Sequence, residues 1–154
     1  MENIVLNEMH TAIASFMKEQ TVMTLATSCN NMPHCAMCFY VFVEEQNFIV
    51  FKSKTATQHV IQALENTSVS GSILPDKLLP AKTSGIQFYG TFCKDDKKKH
   101  PLAAHYYYRK YPFAAAVPGE LWIIELNKVV FTDAMLGFGK KRTWTKEAEA
   151  NHAD

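Results

Sequence analysis

The stretch HCAMCFYVFVEEQNFIVFK, residues 34–52, carries the signal from which the fold is predicted. It consists of two apolar runs rich in aromatic and β-branched residues, and the four polar residues EEQN separate them. Two such runs joined by a short polar loop predict an antiparallel hairpin with strands at 34–43 and 48–52. The first strand is apolar on both faces, so we expect both of its faces to be covered.

Further strands are predicted on either side of this hairpin. They lie at about 22–28, 69–74, 84–93, 121–126 and 129–133. The last two are predicted to form a hairpin across Asn127-Lys128. Most neighbouring strands are joined by loops of hairpin length, which favours an antiparallel β-barrel over a parallel α/β sheet.

Three helices are expected around these strands. Apolar residues at helical spacing predict a first helix from about Asn3 to Glu19. A second helix follows Lys52, and the residues from Thr55 to Gln58 have the spacing of a capping box at its start. A third begins at Asp95 or Asp96 and ends near Tyr111, because a proline follows.

Length and composition indicate a single globular domain spanning residues 1–154. The chain is 47% hydrophobic and 20% charged, with a net charge of +1. Such a small charge argues against broad binding to nucleic acid or to an anionic membrane. No apolar run approaches the ~20 residues that span a bilayer, and the N-terminus lacks the features of a signal peptide. We therefore expect a cytoplasmic protein with neither a membrane nor a nucleic acid as partner.

The four cysteines are expected to be free thiols. Cys35 and Cys38 have CxxC spacing, but they lie in a predicted strand, where residues three apart point to opposite faces. No second CxxC pair completes a zinc site. His100 and His105 are five apart on a predicted helix, which is the wrong spacing for one metal. The sequence predicts no metal site.

The segment from Lys52 to His59 carries hydroxyls, lysines, an amide and a histidine where a strand is predicted to give way to a helix. The start of a helix leaves backbone N–H groups unpaired and favours anions, so this composition fits a phosphate cradle. A capped surface helix with solvated lysines is also compatible with this composition. Both interpretations remain open from these residues.

The string FTDAMLGFGKKRTW, residues 131–144, is the most distinctive in the chain. It does not match a Walker loop, because Ala134 and Lys141 stand where glycine and Ser or Thr are required. It does not match the dinucleotide fingerprint, because Arg142 stands in place of a glycine. Gly137 and Gly139 therefore predict a tight turn with a basic end.

These segments, in this order, resemble the pyridoxamine-phosphate-oxidase-like FMN-binding split barrels over nearly the whole chain. Residues 131–144 are similar to the C-terminal signature of the YhbP-type subfamily. The resemblance implies a mainly β fold, a six-to-seven-stranded antiparallel barrel with about three peripheral helices. It also implies a homodimer with two FMN molecules in clefts at its interface, and a C-terminal arm at about 134–154.

The same resemblance implies which residues hold FMN. The strand after Pro33 is expected to line the flavin ring, and the strand end and helix start that follow are expected to hold the phosphate. Gln87 is expected near the ring, and a basic-aromatic segment is expected to reach the partner's cleft. The cofactor residues so implied are Ala36, Met37, Cys38, Phe39, Lys52, Ser53, Thr57, Gln58, His59, Gln87, Lys140, Lys141 and Trp144.

The implied activity is that of a flavoprotein oxidoreductase or flavin reductase, with NAD(P)H or another small reductant as electron donor and an unknown small molecule as substrate. Authentic pyridoxamine-phosphate oxidases end in an Arg- and His-bearing segment, whereas this chain has two lysines, an arginine and a tryptophan there. Vitamin B6 oxidation is therefore not expected. The alternative is a non-catalytic module that binds a flavin or haem. No residue pair demands separate acid–base chemistry, so no catalytic residue is assigned.

Overall fold

The computed structural model describes residues 3–6, 9–137 and 139–146. Among these residues lie eight strands, namely β1 (Asn3–Leu6), β2 (Val22–Cys29), β3 (Met32–Val43), β4 (Phe48–Ser53), β5 (Ser68–Ile73), β6 (Gly85–Lys94), β7 (Glu120–Thr132) and β8 (Lys141–Thr145). The same part of the chain forms three α-helices, namely α1 (Thr11–Glu19), α2 (Gln58–Glu65) and α3 (Ala103–Lys110). Within the described ranges, no helix is long and apolar enough to cross a membrane.

Six of the strands close into a barrel. They neighbour one another in the order β7, β4, β3, β2, β5 and β6, and pairing between β6 and β7 closes the ring. Every pairing within the ring is antiparallel. Strand β8 adds to the free edge of β7, and β1 pairs with β8 in parallel. The predicted mainly β split barrel is confirmed.

Strand β7 joins the parts of the sheet. Its first half pairs with β4 and its second half with β8, while β6 pairs along the opposite edge. The predicted hairpin across Asn127-Lys128 is wrong, because the chain continues through these residues as one strand of 13 residues. The β6 ladder skips Asn127 where its register shifts between Tyr89 and Gly90, so the irregularity is a bulge and not a turn.

Two predicted helices are shorter than expected. Residues 3–6 form β1, which pairs with β8, and α1 begins only after His10, whose Nδ1 accepts a hydrogen bond from the amide of Ala12. Residues 96–100 form a turn in which Asp96 Oδ1 accepts from the amide of Lys98. Pro101 follows this turn and disfavours a helical residue before it, so α3 starts at Ala103.

The buried residues fall into two clusters. The barrel interior is filled by inward side chains of the strands together with apolar residues of α1 and α2, including Ile13, Met17 and Val60. A second cluster forms outside the barrel, where α3 and the turn after it pack on the second half of β3, on β4 and on β7. The second half of β3 is therefore covered on both faces, as the sequence predicts.

Gly71 on β5 is required by close packing inside the barrel. A Cβ added there would lie 2.2 Å from Cζ of Phe88 and 2.4 Å from the carbonyl oxygen of Thr24. The second of these atoms belongs to the backbone of the neighbouring strand and cannot turn away. Gly85 on β6 differs, because the nearest atoms to its added Cβ are 3.5 Å away.

We predict that Gly71→Ala lowers the free energy of unfolding by more than ~2 kcal/mol, because the methyl group forces β2, β5 and β6 apart. Gly85→Ala is the matched control and should cost less than ~1 kcal/mol, since its methyl group makes ordinary contacts. Urea unfolding followed by tryptophan fluorescence measures both. Equal losses in the two variants would contradict this packing.

Candidate functional site

The junction between β4 and α2 is fixed by hydrogen bonds to the backbone. Ser53 ends β4 and pairs with Glu120 of β7, and the buried indole of Trp122 donates from Nε1 to the Ser53 carbonyl at 2.9 Å. Trp122 in turn stacks on Phe92, with ring centroids 5.1 Å apart. The position of Ser53 is thus set by the core of the barrel.

Three polar side chains meet at this junction, and we call Ser53, Thr57 and His59 the β4–α2 polar cluster. Nε2 of His59 lies 2.8 Å from the Ser53 hydroxyl and 3.4 Å from the Thr57 hydroxyl. It is also 4.0 Å from Sγ of Cys38, which points inward from β3. The cluster therefore joins the start of α2 to the middle of β3.

Among the described residues, no side chain caps the first turn of α2. Thr57 occupies the N-cap position, but its hydroxyl donates to the carbonyl of Lys54 at 2.8 Å instead of accepting from the helix. The helix starts at Gln58, so the predicted capping box from Thr55 is wrong. Uncapped N–H groups and the helix dipole favour an anion at this end.

His59 contributes hydrogen bonds and not charge at neutral pH. Burial lowers its pKa below the ordinary histidine value, and the nearby His34 lowers it further. The imidazole is therefore neutral at pH 7 and offers one donor and one acceptor. The positive charge that a phosphate needs must come from another group.

The two lysines beside the cluster are placed differently. Nζ of Lys52 donates to the carbonyl of Ala114 at 2.7 Å and lies 5.0 Å above the ring of Tyr108. This ammonium is directed toward the segment around α3, away from the hydroxyls of the cluster. Lys54 is exposed one residue beyond β4.

The first half of β3 leaves an apolar surface uncovered. Met37 is 82% exposed and Phe39 is 46% exposed, and Cys35 on the same face is exposed as well. Phe113, 59% exposed, stands beside Phe39 with ring centroids 6.0 Å apart. We call Cys35, Met37, Phe39 and Phe113 the β3 apolar surface. Within one chain the described residues leave this half of the outer face open, and the cover expected there stays a prediction.

Cys35 and Cys38 diverge as the strand geometry predicts. Cys35 is exposed, whereas Cys38 is 7% exposed and packs in the interior. Burial raises the pKa of the Cys38 thiol to about 11. Ala36 is half-buried between them and its side chain packs against the interior core.

Gln87 is not brought to the other predicted residues within one chain. It lies in one row across the sheet with Met37, through the register pairs of Thr24 and Ser72. Three strand spacings separate the two residues, which is about 14 Å at the usual spacing. Gln87 is exposed on the same outer face as the β3 apolar surface.

The predicted C-terminal arm folds back on its own chain as far as residue 146. Lys141 begins β8, which pairs between β7 and β1, and Gly137 and Gly139 have positive φ in the turn before it. The indole of Trp144 is 3% exposed and packs in the barrel interior. This burial corrects the expectation that Trp144 covers a flavin edge, while Lys140 is exposed in the turn.

Two residues of the site are not found by sequence reasoning. Phe113 belongs to the apolar surface, and Trp122 fixes the end of β4. Phe113 follows Pro112 in a segment without strand or helix periodicity, so no pattern marks it. Trp122 lies in a predicted strand, but its partner Ser53 is 69 residues away in the chain.

No family model matches the chain, but curated proteins do. The UPF0306 protein of Photorhabdus laumondii is 34% identical over 134 residues, which are 87% of this chain and 94% of that protein. The UPF0306 protein YhbP of Salmonella paratyphi A is 29% identical over 143 residues, which are 93% of this chain and 97% of that protein.

Solved structures share the fold at low sequence identity. A haem-binding protein from Mycobacterium smegmatis has a TM-score of 0.73 and 14% identity, covering 89% of this chain and 59% of that one. An FAD-binding protein from Mesorhizobium loti has a TM-score of 0.64 and 13% identity, covering 80% and 94%. A NimC/NimA family protein from Clostridium acetobutylicum has a TM-score of 0.62 and 19% identity, covering 86% of this chain and 88% of that one.

We predict that His59 makes the folded protein less stable in acid. Its folded pKa is depressed, so the stability it contributes is present above its unfolded pKa, near 6.5, and is lost as pH falls through the lower folded value. A proton-NMR titration should give His59 a midpoint below 6.5, and His59→Gln should weaken the loss of stability between pH 7 and pH 5. A midpoint above 6.5 would contradict the assignment of a buried neutral imidazole.

Proposed function

We propose that this chain, which belongs to the UPF0306 family, is an FMN-binding oxidoreductase that acts on a small molecule other than pyridoxamine phosphate. The observation that carries the proposal is the uncovered β3 apolar surface on a strand whose neighbour, β4, leads into an uncapped helix start bearing hydroxyl groups. FMN joins the same two features, a flat apolar ring system and a phosphate, within one molecule.

The ring side of the proposed site rests on β3. Met37 and Phe39 present contiguous apolar area to solvent, and the rings of Tyr111 and Phe113 flank Phe39 at 5.4 and 6.0 Å. A group of aromatic and sulfur-bearing side chains suits a planar aromatic ligand. The backbone from Ala36 to Val41 is the proposed source of polar contacts to the ring.

The phosphate side rests on the β4–α2 polar cluster. Ser53 and Thr57 offer hydroxyl groups, and the first turn of α2, at Gln58 and His59, offers backbone N–H groups that no side chain caps. Lys54 supplies positive charge from an exposed position. Lys52 is proposed as a positioning residue, because its ammonium holds the Ala114 carbonyl and so fixes the segment that carries Phe113.

A second copy of the chain is the proposed cover for this surface. The outer faces of β2 and β5 beside Met37 carry small residues in register, including Thr24 and Ser72, and allow a close approach. We propose a homodimer in which the partner closes the cleft over FMN. The proposed contacts from this partner are Gln87, Lys141 and the exposed Lys140. Trp144 is not among the proposed contacts, because it is buried.

The proposed chemistry belongs to the cofactor. Bound FMN would accept two electrons from a donor, for which NAD(P)H is proposed, and pass them to an unidentified small molecule. The residues of this chain bind the cofactor, orient its ring on β3 and exclude water from one side. An FAD-binding protein of the same fold supports the choice of a flavin.

A non-catalytic module is the second candidate. A haem-binding protein shares the fold, and His59 is a neutral, half-buried imidazole, the form in which histidine binds a haem iron. Consumption of NAD(P)H by the FMN-loaded protein in the presence of an acceptor favours the enzyme. Tight ligand retention without turnover favours the module.

We predict that the purified chain quenches FMN fluorescence and that Met37→Glu weakens FMN binding at least about tenfold, because a carboxylate then faces the flavin on an apolar surface. Met135→Glu is the matched control. It places the same charge at a methionine that is 86% exposed, in the turn between β7 and β8, and should leave binding unchanged. Titration by fluorescence quenching measures each affinity.

The phosphate side is tested by comparing FMN with riboflavin. Thr57→Val should reduce FMN affinity and leave riboflavin affinity unchanged, since only FMN carries the phosphate. Circular dichroism checks that each variant is folded. The proposed site is wrong if Met37→Glu and Met135→Glu bind FMN equally well. It is also wrong if neither the wild-type chain nor any variant quenches the fluorescence of FMN or riboflavin.

A further inference from the structure

A cluster of three potential metal ligands lies away from the proposed flavin site. Cys93 near the end of β6, His100 in the turn before α3 and Glu125 in β7 bring one ligand atom each to within 4.8 Å of the others. Nε2 of His100 is 3.1 Å from Oε1 of Glu125, and Sγ of Cys93 is 3.9 Å from the same oxygen. A thiol, an imidazole and a carboxylate together suit zinc.

The spacing of these atoms is close to that of a tetrahedral zinc site. Zinc bonds of about 2.0 Å to nitrogen or oxygen and 2.3 Å to sulfur separate neighbouring ligand atoms by roughly 3.3–3.6 Å. The separations of 3.1 and 3.9 Å bracket this range. The third pair, Sγ of Cys93 and Nε2 of His100, lies within 4.8 Å, and side-chain rotation that brings it to about 3.5 Å would place all three atoms on one ion.

The surroundings hold two of the ligands in place and leave one side open. His100 is 4% exposed and packs edge-on against Phe48, with ring centroids 4.9 Å apart. Glu125 is fixed by the pairing of β7 with β4 and β6. A cleft of about 550 Å³, lined by His100, Glu125 and Lys146 among others, adjoins the cluster. It gives an ion access and room for a water as fourth ligand.

Ligation requires a change in where two protons sit. Nδ1 of His100 accepts the amide of Asp96 at 3.3 Å, so in the metal-free protein the ring proton is on Nε2, facing Glu125. Zinc takes the lone pair of Nε2, the ring proton moves to Nδ1, and the thiol proton of Cys93 passes to solvent. Oδ1 of Asp95, one residue before this turn, is buried and has no hydrogen-bond partner among the described residues, which makes it a candidate acceptor for the new Nδ1–H.

We propose that Cys93, His100 and Glu125 bind a zinc ion whose fourth position is open to the adjoining cleft. This site is independent of the proposed flavin site. His100 packs on Phe48 at the start of β4, whereas the β4–α2 polar cluster lies at its other end, about 17 Å along the strand. Three protein ligands and one exchangeable position are typical of zinc that contacts a substrate or solvent.

Cobalt titration of the EDTA-treated full chain tests this site. One equivalent of Co²⁺ should produce the near-ultraviolet charge-transfer band of a thiolate–cobalt bond, and Zn²⁺ should remove it by competition. Cys93→Ala should abolish the band, and Glu125→Gln should weaken zinc affinity at least about tenfold. Cys29→Ala is the matched control, because Cys29 lies at the far end of β2 with Glu65 as its partner, and should keep the band.

Thermal unfolding gives the second readout. Excess Zn²⁺ should raise the melting temperature of the wild-type chain and of Cys29→Ala, but not that of Cys93→Ala, because only a folded-state site stabilises the fold. Near-ultraviolet circular dichroism confirms that each variant is folded. Absence of the cobalt band in the wild-type chain, or its persistence in Cys93→Ala, would overturn the proposal.

Discussion

The pairing of β6 with β7 closes the sheet, and the rest of the structure depends on this closure. It brings the outer ends of the six-stranded array together across ten residue pairs, with one bulge at Asn127. In the closed ring the neighbouring strands lie so near Gly71 and Gly90 that a Cβ added at either position would clash with them. It also buries Trp122 inside the ring, where the indole reaches the Ser53 carbonyl.

Once the ring is closed, the helices decide which surfaces remain open. The apolar residues of α1 and α2 fill the interior, and α3 covers the second half of β3 from outside. Within the described chain Met37 stays 82% exposed, and Phe39 stays 46% exposed although Tyr111 and Phe113 flank it. An apolar surface of this kind marks an interface or a ligand site. The neighbouring strand β4 leads into the uncapped start of α2, and the proposed flavin site combines these two features.

The sequence predicts the elements whose signal is local. Strands β2 to β6 were expected within about two residues of their observed bounds, because apolar runs and short polar loops define them. The YhbP-type relationship predicted from residues 131–144 is confirmed by membership of UPF0306.

The failures share a different cause, which is pairing between distant segments. Residues 3–6 become a strand only because β8 lies beside them, and Asn127-Lys128 stay extended because β6 and β8 hold both edges of β7. The burial of Trp144 follows from the same return of the chain. The grouping of Cys93, His100 and Glu125 likewise depends on β6 lying against β7. No spacing along the sequence encodes such contacts.

We propose that the open surface of β3 and the start of α2 hold one FMN per chain between two copies. The most direct measurement is the visible absorption spectrum of the natively purified protein, with mass spectrometry of the ligand released on denaturation and the mass of the assembly from light scattering. We expect a flavin spectrum, release of FMN at one per chain, and a dimer. Release of haem, or a colourless monomer that takes up no added FMN, would contradict it.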